Sequence, residues 1–250
     1  MIKSLLLFFC LLLLTAFVPR TFATVTAIGY WRMGENDPGA VPGPMPATMD
    51  AVGGRTLFTV GGPFYSPNVA SAATAHTGST LCMDIFPGTY ATAPVIPNLT
   101  ANFGIELWVY PNSVSGTRCL VYNGNTGDDG CGLYLKNGTY QVLFGGVTFL
   151  LSVPASQFTW THLALVQSNI VNSSGYVTAL FTNGVMAAFT LPTRPMNPPL
   201  GAPVGAFGVG ASPTGAGSDP FDGSIDEVRV FTFGDGQFRA SDLLLAPTTR

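Results

Sequence analysis

The chain has 250 residues, of which only 9% are charged, with 30 glycines, 20 prolines and a net charge of −3. Phosphate recognition rests on concentrated positive charge, and the ten Lys and Arg residues are scattered, so neither nucleic acid nor an anionic membrane surface is an expected partner. With 47% hydrophobic residues the chain is not a disordered one; it reads as many short strands joined by tight turns.

In chain order, the first feature is an export signal over residues 1–23. Lys3 supplies the positive start, Leu5 to Leu14 is an apolar run interrupted only by Cys10, and Thr21-Phe22-Ala23 ends in a small residue suited to cleavage. The run is shorter than the roughly 20 residues a bilayer-spanning helix needs, and no later segment is long and apolar enough. A retained N-terminal anchor helix is the alternative. Residues 24–250 suit one large β domain.

The clearest strand is Phe103 to Tyr110. Phe103, Ile105, Leu107 and Val109 face one way, and Glu106, Trp108 and Tyr110 the other, so it is expected as a central strand covered on both sides. Further strands are expected at Cys119–Tyr122, Gly132–Lys136, Tyr140–Phe144, Phe149–Val153 and His162–Gln167. Four more follow at Tyr176–Thr182, Val185–Leu191, Ala206–Gly210 and Ile225–Phe233. Asn137-Gly138 and Asn183-Gly184 each supply the positive-φ pair of a two-residue hairpin. The Pro-rich stretches Pro38–Pro46 and Pro192–Pro203 are expected as surface loops, and one helical turn near Ala240–Leu245. His76, among Ala and Thr, is expected in a loop.

Cysteine usage leaves two options. Without Cys10, an odd set of Cys82, Cys119 and Cys131 remains; a Cys119–Cys131 bridge would close a turn-rich segment, and buried unpaired thiols are the alternative. Three dispersed cysteines with no nearby histidine do not make a zinc site.

Five blocks, in order, resemble the laminin G-like group of the concanavalin A-like lectin/glucanase superfamily. They are Tyr30-Trp31-Arg32-Met33-Gly34-Glu35, Phe103-Gly104-Ile105-Glu106-Leu107-Trp108-Val109, Trp160-Thr161-His162-Leu163-Ala164-Leu165-Val166, Phe181-Thr182-Asn183-Gly184-Val185, and the closing Phe221-Asp222-Gly223-Ser224-Ile225-Asp226-Glu227-Val228-Arg229-Val230-Phe231. The last is the most specific. The resemblance implies an all-β fold, a two-sheet antiparallel jelly-roll sandwich with one concave sheet. It implies a secreted, non-catalytic binding or adhesion module for a glycan or an extracellular surface protein. A structural or self-assembling envelope or matrix protein is the alternative, and a glycoside hydrolase a third.

Some proteins of that fold hydrolyse glucans with two carboxylates on one strand face, in the pattern Glu-x-Asp-x-x-Glu. Retaining hydrolysis needs two carboxyl groups about 5 Å apart. The pattern is missing here: Asp226 and Glu227 are adjacent, so a regular strand would point them to opposite faces, and Glu106 stands alone. No enzyme activity is therefore expected. Glu106 is expected to pair toward the closing strand, with Arg229 the candidate partner, because a buried carboxylate is costly alone. Neither His76 nor His162 has a nucleophile to serve, and no Gly-x-Ser-x-Gly elbow is present.

The resemblance also implies a calcium candidate at a loop edge. Asn123-Gly124-Asn125-Thr126-Gly127-Asp128-Asp129-Gly130 offers oxygens from Asn125, Asp128 and Asp129. A solvated turn is the alternative, since Gly, Asn and Asp are also turn residues. Acceptor sequons at Asn98, Asn137 and Asn172 matter only in a eukaryotic secretory route, and the style of the sequence is bacterial.

Overall fold

Period-two alternation of apolar side chains builds two antiparallel sheets whose inner faces meet. The computed structural model describes residues 25–145, 148–170, 175–190, 202–215 and 217–245. The expected signal at residues 1–23, most of the second Pro-rich stretch and Asn172 lie outside them. In chain order the strands are β1 (Val25–Trp31), β2 (Gly43–Pro44), β3 (Ala47–Thr48), β4 (Leu57–Val60), β5 (Phe64–Ser66), β6 (Cys82–Ile85), β7 (Tyr90–Pro94) and β8 (Phe103–Pro111). There follow β9 (Thr117–Gly124), β10 (Cys131–Lys136), β11 (Thr139–Phe144), β12 (Thr148–Pro154), β13 (Thr161–Asn169), β14 (Tyr176–Thr182), β15 (Val185–Phe189), β16 (Ala206–Val209) and β17 (Gly223–Phe233).

The first sheet runs β15-β14-β13-β8-β17-β6-β5-β2, and the second β12-β11-β10-β9-β16-β7-β4-β3. The architecture is the expected all-β jelly-roll sandwich. β17 is the longest strand. Its free side is shared by β6 against Gly223–Ile225 and by β1 against Val228–Phe233. Between those halves lies a β-bulge at Glu227, whose φ of 52° is left-handed.

Ile105, Leu107, Val109, Leu163, Leu165 and Val230 of the first sheet pack against Leu120, Val121, Leu133, Val142, Phe207 and Val209 of the second. Trp31 stacks on Phe207 with ring centroids 4.9 Å apart and donates its indole N–H to the Arg55 carbonyl at 2.6 Å. Close approaches need glycine at two positions. A Cβ on Gly104 would lie 2.1 Å from the Phe231 ring, and one on Gly223 would meet the Tyr110 carbonyl at 2.1 Å.

The outer face of the first sheet is roofed. Helix α1 (Ser71–Thr77) lays Ala70 and Ala73 on Trp108, and the segment after β17 lays Phe238 and Leu243 on Phe181 and Phe231. His76 thus lies on a helix, exposed, rather than in the expected loop. The helix is only seven residues long with Ala70 as a cap that bonds nothing, so its sequence carried no start signal. The expected turn near Ala240–Leu245 is a 3-10 turn at Ala240–Asp242.

Among the described residues Cys82, Cys119 and Cys131 are all buried free thiols. A Cys119–Cys131 bridge is ruled out by the sheet itself. Cys131 faces the core, whereas Cys119 opposes Tyr134 on the outer face of the second sheet. No helix among the described residues is long and apolar enough to cross a membrane.

Candidate functional site

Glu106, on the roofed face, is fully buried and triply engaged. Arg229 Nε and Nη2 reach its Oε1, His162 Nε2 lies 2.9 Å from Oε2, and the Leu244 backbone N–H donates to Oε2 at 2.9 Å. Arg229 also donates to the Asp242 carbonyl at 2.6 Å, so the ion pair pins the roofing segment. Burial alone would raise the Glu106 carboxyl; the His162 hydrogen bond and the Arg229 charge outweigh it and hold it below the usual range. The expected Glu106–Arg229 pairing is present, and it is structural.

Asp226 and Glu227 depart from expectation. The bulge rotates Glu227 so that both carboxylates approach Glu35, with oxygens of the three within 4.8 Å of one another. Glu227 accepts from Tyr30, from Thr77 Oγ1 at 2.7 Å and from Arg32 Nη2 at 3.2 Å. Asp226 accepts from Ser79 Oγ at 2.6 Å and from the Glu227 N–H at 2.8 Å. Glu35 Oε1 accepts from the backbone N–H groups of Thr80 at 2.6 Å and Leu81 at 3.0 Å, while its buried Oε2 has no partner. Burial, then the Glu227 charge, push the Asp226 carboxyl well above its ordinary value. Spacing alone would suit paired-carboxylate chemistry, but Asp226 and Glu227 are wholly buried and hydrogen-bonded. The cluster joins the opening Tyr30–Glu35 block to the closing strand.

Trp108 is buried and Trp160 half-buried on that face, Trp160 lying 5.5 Å from the Tyr110 ring. Both belong to the packing beneath α1. His162 contacts Trp108 edge-on at 5.3 Å.

Asn125, Asp128 and Asp129 do converge on one turn. Asp129 Oδ1 accepts from Asn125 N–H at 2.9 Å and Val204 N–H at 3.0 Å. Asn125 Nδ2 donates to Asp128 Oδ2 at 3.0 Å, and Asn125 Oδ1 accepts from Gly127 N–H at 2.9 Å.

The outer face of the second sheet has no helical roof. Residues 217–220 cross its middle, where the Cys119 N–H donates to the Asp219 carbonyl at 2.8 Å and Arg118 Nη1 to the Pro220 carbonyl at 3.0 Å. Tyr122, Tyr134, Cys119 and Leu143 pack beneath and beside it. On one flank Phe58 is 60% exposed beside Thr92; on the other, Lys136, opposite Thr139, holds its Nζ 3.9 Å above the Phe149 ring. Sequence reasoning singled out none of these. Lys136 carried a signal, lying two residues beyond Tyr134 and so on the same strand face. Asp219 carried none, standing in a Gly/Pro loop. A shallow surface groove of about 410 Å³ lies against the Pro-rich 37–49 segment, where Asp37 is already engaged by Tyr65 Oη at 2.8 Å.

Residues 87–233 match the family described as the concanavalin A-like lectin/glucanases superfamily. No curated protein matches the chain. Among solved structures it is similar to domain 4 of AbnA, a GH43 extracellular arabinanase from Geobacillus stearothermophilus in complex with arabinotriose, at 16% identity and a TM-score of 0.60, covering 89% of this chain and 99% of that one. It is similar to the receptor-binding domain of botulinum neurotoxin type G at 11% identity and a TM-score of 0.56, covering 87% of this chain and 49% of that one. Trypanosoma rangeli sialidase is similar at 15% identity and a TM-score of 0.57, with 88% of this chain and 33% of that one covered. At such identities the likeness shows the fold alone. The family match extends over more than half of the chain, which therefore belongs to the concanavalin A-like lectin/glucanases superfamily.

Proposed function

We propose that this chain is a secreted, non-catalytic carbohydrate-recognition module that meets its glycan on the outer face of the second sheet. The observation that carries this is the asymmetry of the two outer faces. On the first sheet the carboxylates are locked in internal hydrogen bonds under α1 and the 235–245 segment. On the second, charged and aromatic side chains reach the surface on both sides of one loop. Arabinotriose bound to domain 4 of the arabinanase supports a sugar as the ligand class, and the signal-like residues 1–23 support export. Absence of hydrolysis follows from the inaccessibility of Asp226 and Glu227. Incubation with arabinan, xylan and mixed-linkage β-glucan should release no reducing sugar; release abolished by Glu227→Gln would overturn that part.

Calcium on Asn125, Asp128 and Asp129 is a separable part of the proposal. An ion there competes with the N–H donors of Val204 and Asn125 for Asp129. A Tm that rises with calcium, falls with chelator and stops responding in the Asp128→Asn/Asp129→Asn double variant establishes the ion. An unchanged Tm leaves the turn held by its own hydrogen bonds.

A second reading, a self-assembling envelope or matrix protein, is favoured by one observation. Edge strand β15 exposes Val185, Met186 and Phe189, and an exposed apolar edge is a template for further pairing. Light scattering across a concentration series tests it.

A further inference from the structure

The Lys136 and Asp219 side-chain charges enter no ion pair among the described residues, and Phe149 packs beside Lys136. β10 alternates Leu133 and Leu135 into the core with Tyr134 and Lys136 outward, so Lys136 rises from the second sheet beside the Tyr134 ring. Its ammonium sits 3.9 Å above the Phe149 ring, and Phe149 meets the Tyr134 ring edge-on at 5.5 Å. Among the described residues this ammonium makes no ion pair and no hydrogen bond, so its three donors are free. Asp219 arrives from the other side. Its carbonyl is fixed by Cys119 N–H at 2.8 Å, and its left-handed backbone, φ 51°, bends the loop back at the sheet.

The Asp219 carboxylate is half-buried, and among the described residues no N–H or O–H donates to it. Burial raises its pKa, and the charges of Arg118 and Lys136 pull it back. Arg118 is engaged by the Pro220 and Ser115 carbonyls at 3.0 and 3.3 Å, so of the two cations acting on Asp219 it is Lys136 that has no acceptor among the described residues. Beneath them the buried Tyr134 hydroxyl has, among the described residues, no hydrogen-bonding partner beyond the weak Cys119 thiol. A half-buried carboxylate without donors and an ammonium without acceptors are incomplete as a structural device. Either alone would sit better in water.

From this geometry we propose that Asp219 and Lys136, with the edge of Phe149 beside them, form a subsite for a neutral polyol, the vicinal diol of an uncharged sugar ring. One hydroxyl pair donates to Asp219, a ring or hydroxyl oxygen accepts from Lys136, and the C–H face of the sugar lies on the exposed part of Phe149. The pair is neutral overall, so an uncharged ring satisfies both members, whereas the carboxylate of a uronic or sialic acid would gain at Lys136 but be repelled by Asp219. This rests on the carbohydrate-recognition reading and narrows it to one flank of the face and one sugar class.

The test is an array of neutral and acidic glycans probed with the whole secreted chain, followed by calorimetry with the strongest neutral oligosaccharide. Asp219→Asn and Lys136→Met keep the shape and remove one charge each; His76→Gln, exposed on α1 over the other sheet, is the control. Hydrogen bonds to charged groups are strong enough that each of the first two should weaken binding by about tenfold or more, with the Tm unchanged and the control unaffected. If Asp219→Asn fails to fold, Lys136→Met alone decides. Undiminished affinity in the folded variants overturns the subsite and leaves the carbohydrate reading standing. Exclusive binding of acidic glycans overturns the polyol assignment. No glycan binding by the native chain overturns both.

Discussion

Glu106 and Asp226 stand on the same roofed face, opposite Arg229 and Trp108 respectively, and their environments drive them apart. Glu106 is held ionised by Arg229 and His162, while burial and the Glu227 charge favour a proton on Asp226. Removing one member of a buried pair strands the other, so Glu106→Gln should cost about 3 kcal/mol or more at pH 7 by denaturant unfolding. A carboxyl with a depressed folded pKa contributes stability above its unfolded value and loses it as pH falls through the folded one. The gap between Glu106→Gln and the native chain should therefore narrow below about pH 4. Asp226 has the opposite sign. Its folded state holds the proton more tightly, so its contribution is complete below about pH 3.9 and is lost as pH rises through the raised folded value. Asp226→Asn, which mimics the protonated acid, should match the native Tm near pH 3.5 and exceed it increasingly toward pH 8. A gap independent of pH would show that Asp226 titrates normally.

Among the elements, the two Asn-Gly hairpins set register across half of each sheet. Gly138 has φ 81° and an added Cβ would touch nothing within 4 Å, so Gly138→Ala isolates the backbone term. It should cost about 1–2 kcal/mol with no change in m-value, and a neutral result would mean the turn relaxes to another type. These hairpins were legible in the sequence because Asn-Gly supplies its own geometry. The strands from Phe103 to Phe233 were legible because each carries a run of alternating apolar residues bounded by turn residues, and the observed bounds fall within two residues of those expected. Less of the first eighty residues could be read. β2 and β3 are two residues each, too short for a period, and α1 is a run of Ala, His and Thr lacking a polar cap. The Glu227 bulge was invisible for another reason. Glutamate seldom adopts positive φ, and the conformation is imposed by β1 and β6 meeting on one side of β17. That single bulge brings Asp226 and Glu227 together where regular alternation separates them.

At the scale of the molecule, the sandwich has one covered face and one open face. The Glu106–Arg229 pair ties down the segment that covers the first sheet, and Trp108 lies under it at 3% exposure. Trp108→Ala should destabilise the fold by about 3–5 kcal/mol, as emptying a large buried aromatic site does, and should leave glycan affinity in the surviving folded protein unaltered. Lost affinity at native stability would instead place the ligand on the first sheet. The candidate ligand face was the least legible part, because Lys136 and Phe149 come from strands, Asp219 from a loop, and only the folded sheet unites them. The most direct measurement of the central claim is glycan-array binding of the whole chain, with its mass followed by light scattering over the same concentrations. Saturable binding to particular neutral glycans by a species of constant mass is the expected result. Concentration-dependent growth in mass without any glycan signal would contradict it and favour assembly through the β15 edge.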